Sequence, residues 1–228
     1  MKLSIFTTRR ENLFGYGYLL ICLFVLPGLI VTAGDLLAIP LSDSLVNIIY
    51  FFVNFICVTA IFHRFLHRSL KAALANPWRC LRYALFGTVL YFAGMMLVSF
   101  VILKLKPDFS NVNDSFVAHM AQEHTLLISL CTIFLVPVVE ETLHRGLVFQ
   151  QLQRKNRPLA YCVSAAVFAG IHIMGYAGRF DWLTLLLCFV QYLPAGIALA
   201  WAYEKSDTVF TPILMHITIN QIGMSALR

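Results

Sequence analysis

The chain has 228 residues, of which 60% are apolar and only 12% charged, and its formal net charge is +6. Soluble domains are about 45 to 50% apolar and about 25% charged, so a membrane is the simplest solvent for this composition, and the length leaves no room for an ordinary soluble domain beside the spans. The positive balance does not imply nucleic acid as a partner, because the basic residues fall between apolar runs, where the positive-inside rule puts them.

Arg9 and Arg10 precede an apolar run from Phe14 to Ala33. The run ends in Val31-Thr32-Ala33, a sequence a signal peptidase accepts, but it exceeds the roughly 7 to 15 apolar residues of a signal peptide. It is read as a retained first span. Further runs of spanning length lie near 44–62, 83–103, 125–150, 159–176, 183–203 and 208–226, a span needing roughly 20 apolar residues. The expected fold is all-α, a polytopic transmembrane helical bundle of about seven spans, with residues 1–124 forming about three spans and an outer loop, and residues 125–228 the catalytic core of one membrane domain. No CxxC pair occurs among Cys22, Cys57, Cys80, Cys131, Cys162 and Cys188, which read as reduced packing residues.

Lysine and arginine set the orientation. With a cytoplasmic N-terminus, the inner segments hold Lys2, Arg9, Arg10, Arg64, Arg68, Lys71, Arg79, Arg82, Arg154, Lys155, Arg157 and Lys205, and the outer ones only Lys104, Lys106, Arg179 and Arg228. That bias places the N-terminus inside and the C-terminus outside. The loop from Lys106 to Glu123 is then the one sizeable outer feature.

The acidic residues separate into two classes. Glu11, Asp35, Asp43, Asp108, Asp114, Glu123, Asp181, Glu204 and Asp207 fall in loops or at span ends and are read as solvated; Glu140 and Glu141 lie inside the run from Leu126 to Phe149, with Arg145. An ionised group at the centre of a spanning helix costs about 2.5 to 3.5 kcal/mol on translocon scales, so three in one span require a reason. Glu141 and Arg145 share a helix face at i, i+4 and can neutralise each other. Glu140 points about 100° away, with His144 as its i+4 neighbour. His63, His67, His119 and His124 fall in or beside loops, whereas His144, His172 and His216 are within spans. At 1.5 Å per residue, Glu140, His172 and His216 lie roughly 15, 20 and 14 Å from the cytoplasmic side, which predicts a polar catalytic cavity open to the cytoplasmic half. Asn220, one turn beyond His216, extends it.

These residues match three motifs in order: EExxxR as Glu140-Glu141-Thr142-Leu143-His144-Arg145, FxxxH as Phe168-Ala169-Gly170-Ile171-His172, and HxxxN as His216-Ile217-Thr218-Ile219-Asn220. In this the chain resembles the CAAX-protease and bacteriocin-processing (CPBP, or Abi) family of intramembrane peptidases, over roughly residues 125 to 226. It departs from the family at His144, where an aromatic residue is common. The resemblance implies hydrolysis of a peptide bond in a membrane-associated peptide or protein. Glu140 and His172 would activate water, and His216 and Asn220 would bind the oxyanion. Glu141, Arg145 and Phe168 would support them. A general base of this kind suits a carboxylate in a low-dielectric cavity. No cofactor is expected. The competing expectation is a catalytic zinc held by Glu140, His172 and His216, set against the lack of an HExxH pair. A proton-coupled transporter and a non-catalytic immunity or scaffold protein are the readings from other classes. The expected setting is the plasma membrane of a bacterium, with lipids and a membrane peptide as partners.

Overall fold

The computed structural model describes residues 3–226, so Lys2 and Arg228 of the charge count lie outside the described residues. Ten helices follow one another: α1 Arg9–Phe24, α2 Leu26–Leu36, α3 Asp43–Ile61, α4 His63–Ala75, α5 Pro77–Leu105, α6 Val112–Glu123, α7 Thr125–Gln153, α8 Arg157–Met174, α9 Trp182–Ser206 and α10 Phe210–Ala226. Among the described residues no strand occurs, as the composition predicts. Local chemistry sets the boundaries. Thr8 and Glu11 form a capping box at the start of α1, and Ser42, Asn156 and Asp181 cap α3, α8 and α9 through their side-chain oxygens, each satisfying an orphan N–H of the first turn. Pro27, within the first two positions of α2, marks the break between α1 and α2, where the axis bends by 56°.

Among the described residues five helices (α3, α5, α7, α8 and α9) are long and apolar enough to cross a membrane, and the bent α1–α2 pair makes six. The sequence suggests about seven. The difference is α10, which is described over 17 residues, or about 26 Å at 1.5 Å per residue against a hydrocarbon core of about 30 Å. Exposed apolar side chains such as Leu85, Val89, Met96 and Phe100 cover the outer face of α5, the pattern of a multi-pass protein bathed in lipid rather than water.

α7 is at the centre of the site and is not a regular helix. It widens to π geometry at Cys131–Leu135 and again at Thr142–Phe149. The first widening has a readable cause. Val136 donates its N–H to the Cys131 carbonyl, five residues back, and the next residue in that register, Pro137, has no N–H to give. The Thr132 carbonyl accepts instead from Nδ2 of Asn220 on α10, at 2.8 Å. In the second widening, the Gly146 carbonyl accepts from the Gln150 side chain. A Cβ on Gly146 would stand 2.6 Å from the Phe65 ring, so glycine lets α4 close against α7.

Two acidic residues expected to be solvated are buried. Glu11 is 4% exposed and accepts from the backbone N–H groups of Thr8 and Phe65, with Arg68 at 3.8 Å. Glu204, 1% exposed, accepts from Arg157, Tyr161 and Gln153 at 2.7 to 2.8 Å. Both are at span ends, as the sequence reading has it, but they tie neighbouring elements together there. All six cysteines are free thiols.

Candidate active site

Glu141, Arg145 and His216 form a buried chain of contacts. Glu141 and Arg145 are both 0% exposed and meet at 3.0 Å. The same Oε1 of Glu141 lies 2.9 Å from Nδ1 of His216. Arg145 also donates to the Gly196 carbonyl at 3.1 Å and sits over the Phe168 ring at 4.7 Å. That reach depends on α8 and α9 packing closely: a Cβ on Gly196 would be 2.7 Å from Cα of Ala165. Glu141, read from sequence as self-paired with Arg145, therefore serves two partners from two helices.

Phe168 is the hub of the aromatic packing. Its ring centroid lies 4.7 Å from His172, 5.5 Å from His144 and 5.9 Å from His216. His144 is 2% exposed, and neither ring nitrogen has a hydrogen-bond partner among the described residues. It packs edge-on to Phe168 as an aromatic ring would.

Hydrogen bonds fix the tautomers. Carbonyl and carboxylate oxygens only accept, so Nδ1 of His172 donates to the Phe168 carbonyl at 2.7 Å, and Nδ1 of His216 donates to Glu141. In each neutral ring the lone pair is then on Nε2. Asn220 commits one amide N–H to Thr132 and keeps the other. Glu140 has a buried Oε2 with no partner.

Glu140, His172, His216 and Asn220 all line one cavity of about 370 Å³. Glu140 also borders a smaller apolar pocket of about 70 Å³, walled by Leu19, Leu23, Phe51 and Ile171. The larger cavity continues to Asn111, Asn113 and Asp114 at the start of α6 and to Gln191 and Tyr192 on α9. The cavity therefore reaches toward the α6 end of the bundle. α6 joins the end of α5 to the start of α7, at the end of the bundle opposite the arginine- and lysine-rich segments, and His172 stands in the last turn of α8. The helix of His172 ends two residues later, at Met174, which puts this histidine near the α6 end of the cavity.

The α6 wall escapes the sequence reading. Tyr192 stacks on His172 with centroids 4.2 Å apart and an interplanar angle of 27°. Its hydroxyl donates to Asp114 at 2.8 Å and accepts from Asn113 at 3.0 Å. Asn111 donates to Gln191 at 2.7 Å. The available signal is Gln191, a polar side chain well inside an apolar run.

As they stand, no three His, Cys, Asp or Glu side chains among the described residues converge closely enough to hold a metal ion. The Nδ1–H bonds to Glu141 and to the Phe168 carbonyl leave Nε2 of His216 and of His172 uncommitted.

Residues 122–222 match the family of type II CAAX prenyl endopeptidases described as Rce1-like. This stretch resembles the Rce1-like family. All three motifs of the CPBP resemblance fall within the matched span, which contains α7 to α9 and most of α10. The chain is also 26% identical over 162 residues to the UPF0177 protein YxdF of Lactococcus lactis subsp. lactis (strain IL1403), covering 70% of this chain and 84% of that protein. No solved structure matches.

Proposed function

We propose that the protein is an intramembrane endopeptidase in which Glu140 and His172 activate a water molecule against a peptide carbonyl. The observation that carries this reading is the shared cavity: Glu140 with an unpartnered oxygen, His172 with Nε2 as its lone-pair nitrogen, and two further polar groups on the same wall. A carboxylate accepts the proton from water, and the hydroxide attacks the carbonyl carbon. The tetrahedral oxyanion takes the remaining N–H of Asn220. When the His216 ring carries a second proton, it gives Nδ1–H to Glu141 and Nε2–H to the same oxyanion. Preorganised donors of this kind contribute about 2.7 to 4 kcal/mol each. Glu140 then returns the proton to the leaving amine, which completes the cleavage. Phe168, Glu141 and Arg145 hold the histidines in place and touch no reacting atom.

The Rce1-like match supports the peptidase class, and the lipid-facing apolar helices support a multi-pass location. In this reading the protein sits in a bacterial plasma membrane with its N-terminus cytoplasmic, needs no cofactor, and takes a membrane-associated peptide or protein as substrate. The small apolar pocket beside Glu140 would receive an apolar side chain next to the scissile bond.

The test is mass spectrometry of membrane peptides from cells making the wild-type protein, Glu140→Gln or His172→Ala. Peptides that accumulate uncleaved in both variants support the assignment. An identical peptide profile in all three strains rules it out, and leaves a non-catalytic scaffold or a transporter.

A further inference from the structure

Two acidic side chains, Glu140 and Asp114, line the cavity, and none of the described residues lining it is lysine or arginine. The buried Arg145 is spent on Glu141 and the Gly196 carbonyl. Asp114 accepts from the Tyr192 hydroxyl and is ion-paired with no lysine or arginine among the described residues. It is exposed by area and lines both this cavity and a neighbouring one bounded by Ser99 and Phe109; desolvation by the surrounding protein raises its pKa, against the hydrogen bonds of Tyr192 and Asn113 and the charge of His172. A carboxylate so placed gains most from a cation brought by a ligand.

We infer that Asp114 is a specificity-determining residue that binds a lysine or arginine side chain of the peptide substrate. This rests on the peptidase reading and adds the substrate's chemistry. A free C-terminal carboxylate beside Asp114 would face a like charge with no lysine or arginine among the lining residues, a repulsive arrangement, so cleavage at an internal bond is favoured over trimming of a chain end held there by its carboxylate. One phenol ring, that of Tyr192, separates Asp114 from His172. At about 3.3 Å per residue of extended peptide, the basic residue would lie two or three positions from the scissile bond.

The experiment uses full-length protein in liposomes and quenched peptides that differ only in Lys or Glu at that distance. The readout is the ratio of kcat/KM for the two. Wild type is expected to prefer Lys; Asp114→Asn, which retains an acceptor for Tyr192, should reduce that ratio about tenfold, and Asp114→Lys should invert it. Tyr192→Phe removes the Asp114 hydrogen bond but not the charge and should keep the preference. Unchanged ratios in both Asp114 variants, or an equal collapse in Tyr192→Phe, would overturn the inference while leaving the peptidase standing. Wild type that cleaves neither these peptides nor any other would remove both.

Discussion

Oε1 of Glu141 lies 2.9 Å from Nδ1 of His216 and 3.0 Å from Nη1 of Arg145, with all three side chains at most 6% exposed. One carboxylate oxygen thus joins a cation and a histidine from two helices. Removing one partner of a buried ion pair costs about 3 to 5 kcal/mol, because the other charge is left uncompensated. Glu141→Ala is expected to lose that much stability in thermal unfolding in detergent, and to lose activity with it. Adding Arg145→Met should recover part of the stability but not the activity, since His216 still lacks its acceptor.

Glycine at 196 is required by distance rather than by backbone conformation. Its added Cβ would meet Cα of Ala165 at 2.7 Å and the Ala165 carbonyl at 3.2 Å, and backbone cannot swing aside as a side chain can. Gly196→Ala should therefore separate α8 from α9 and cost about 1 to 3 kcal/mol. Because Arg145 bonds the carbonyl of the same residue, the variant should also lower kcat. Unfolding midpoints and turnover on one preparation check both.

Acid should strengthen rather than weaken the seating of α6. Burial raises the Asp114 pKa, so the folded protein binds its proton more readily than the unfolded chain, and stability rises as pH falls through the folded value. Glu123 acts in the opposite sense: the hydroxyl of Ser44 lowers its pKa, so its contribution is present above the unfolded value and lost on further acidification. Hydrogen exchange of residues 112–123 is expected to slow in the wild type as pH falls from neutrality into the ordinary carboxylate range, and to change less in Asp114→Asn once corrected for intrinsic rates.

Much of the fold was legible because a membrane imposes a simple rule: apolar runs of spanning length become helices. The three motifs were legible because each is local. His216 pairing with Glu141 was not, since the two are 75 residues apart and either glutamate could be reached from a neighbouring helix. The π segments of α7 were hidden by the assumption of 3.6 residues per turn, although Pro137 signals that a carbonyl nearby must find another donor. Asp114, read as solvated, is exposed, but nothing in the polar sequence of α6 tells that it also lines the cavity. Glu11 and Glu204 were misread because a charge at a span end can be paired as well as wet.

The central claim is that Glu140 acts on water and does not hold the fold. Its Oε2 is buried without a partner, so Glu140→Gln removes a costly charge and breaks no ion pair. The decisive measurement is cleavage of a substrate peptide by purified Glu140→Gln in proteoliposomes, alongside its unfolding midpoint. The account predicts a midpoint at or above wild type with turnover reduced by about 10² to 10⁴. Turnover within a few-fold of wild type in a folded Glu140→Gln protein would contradict it.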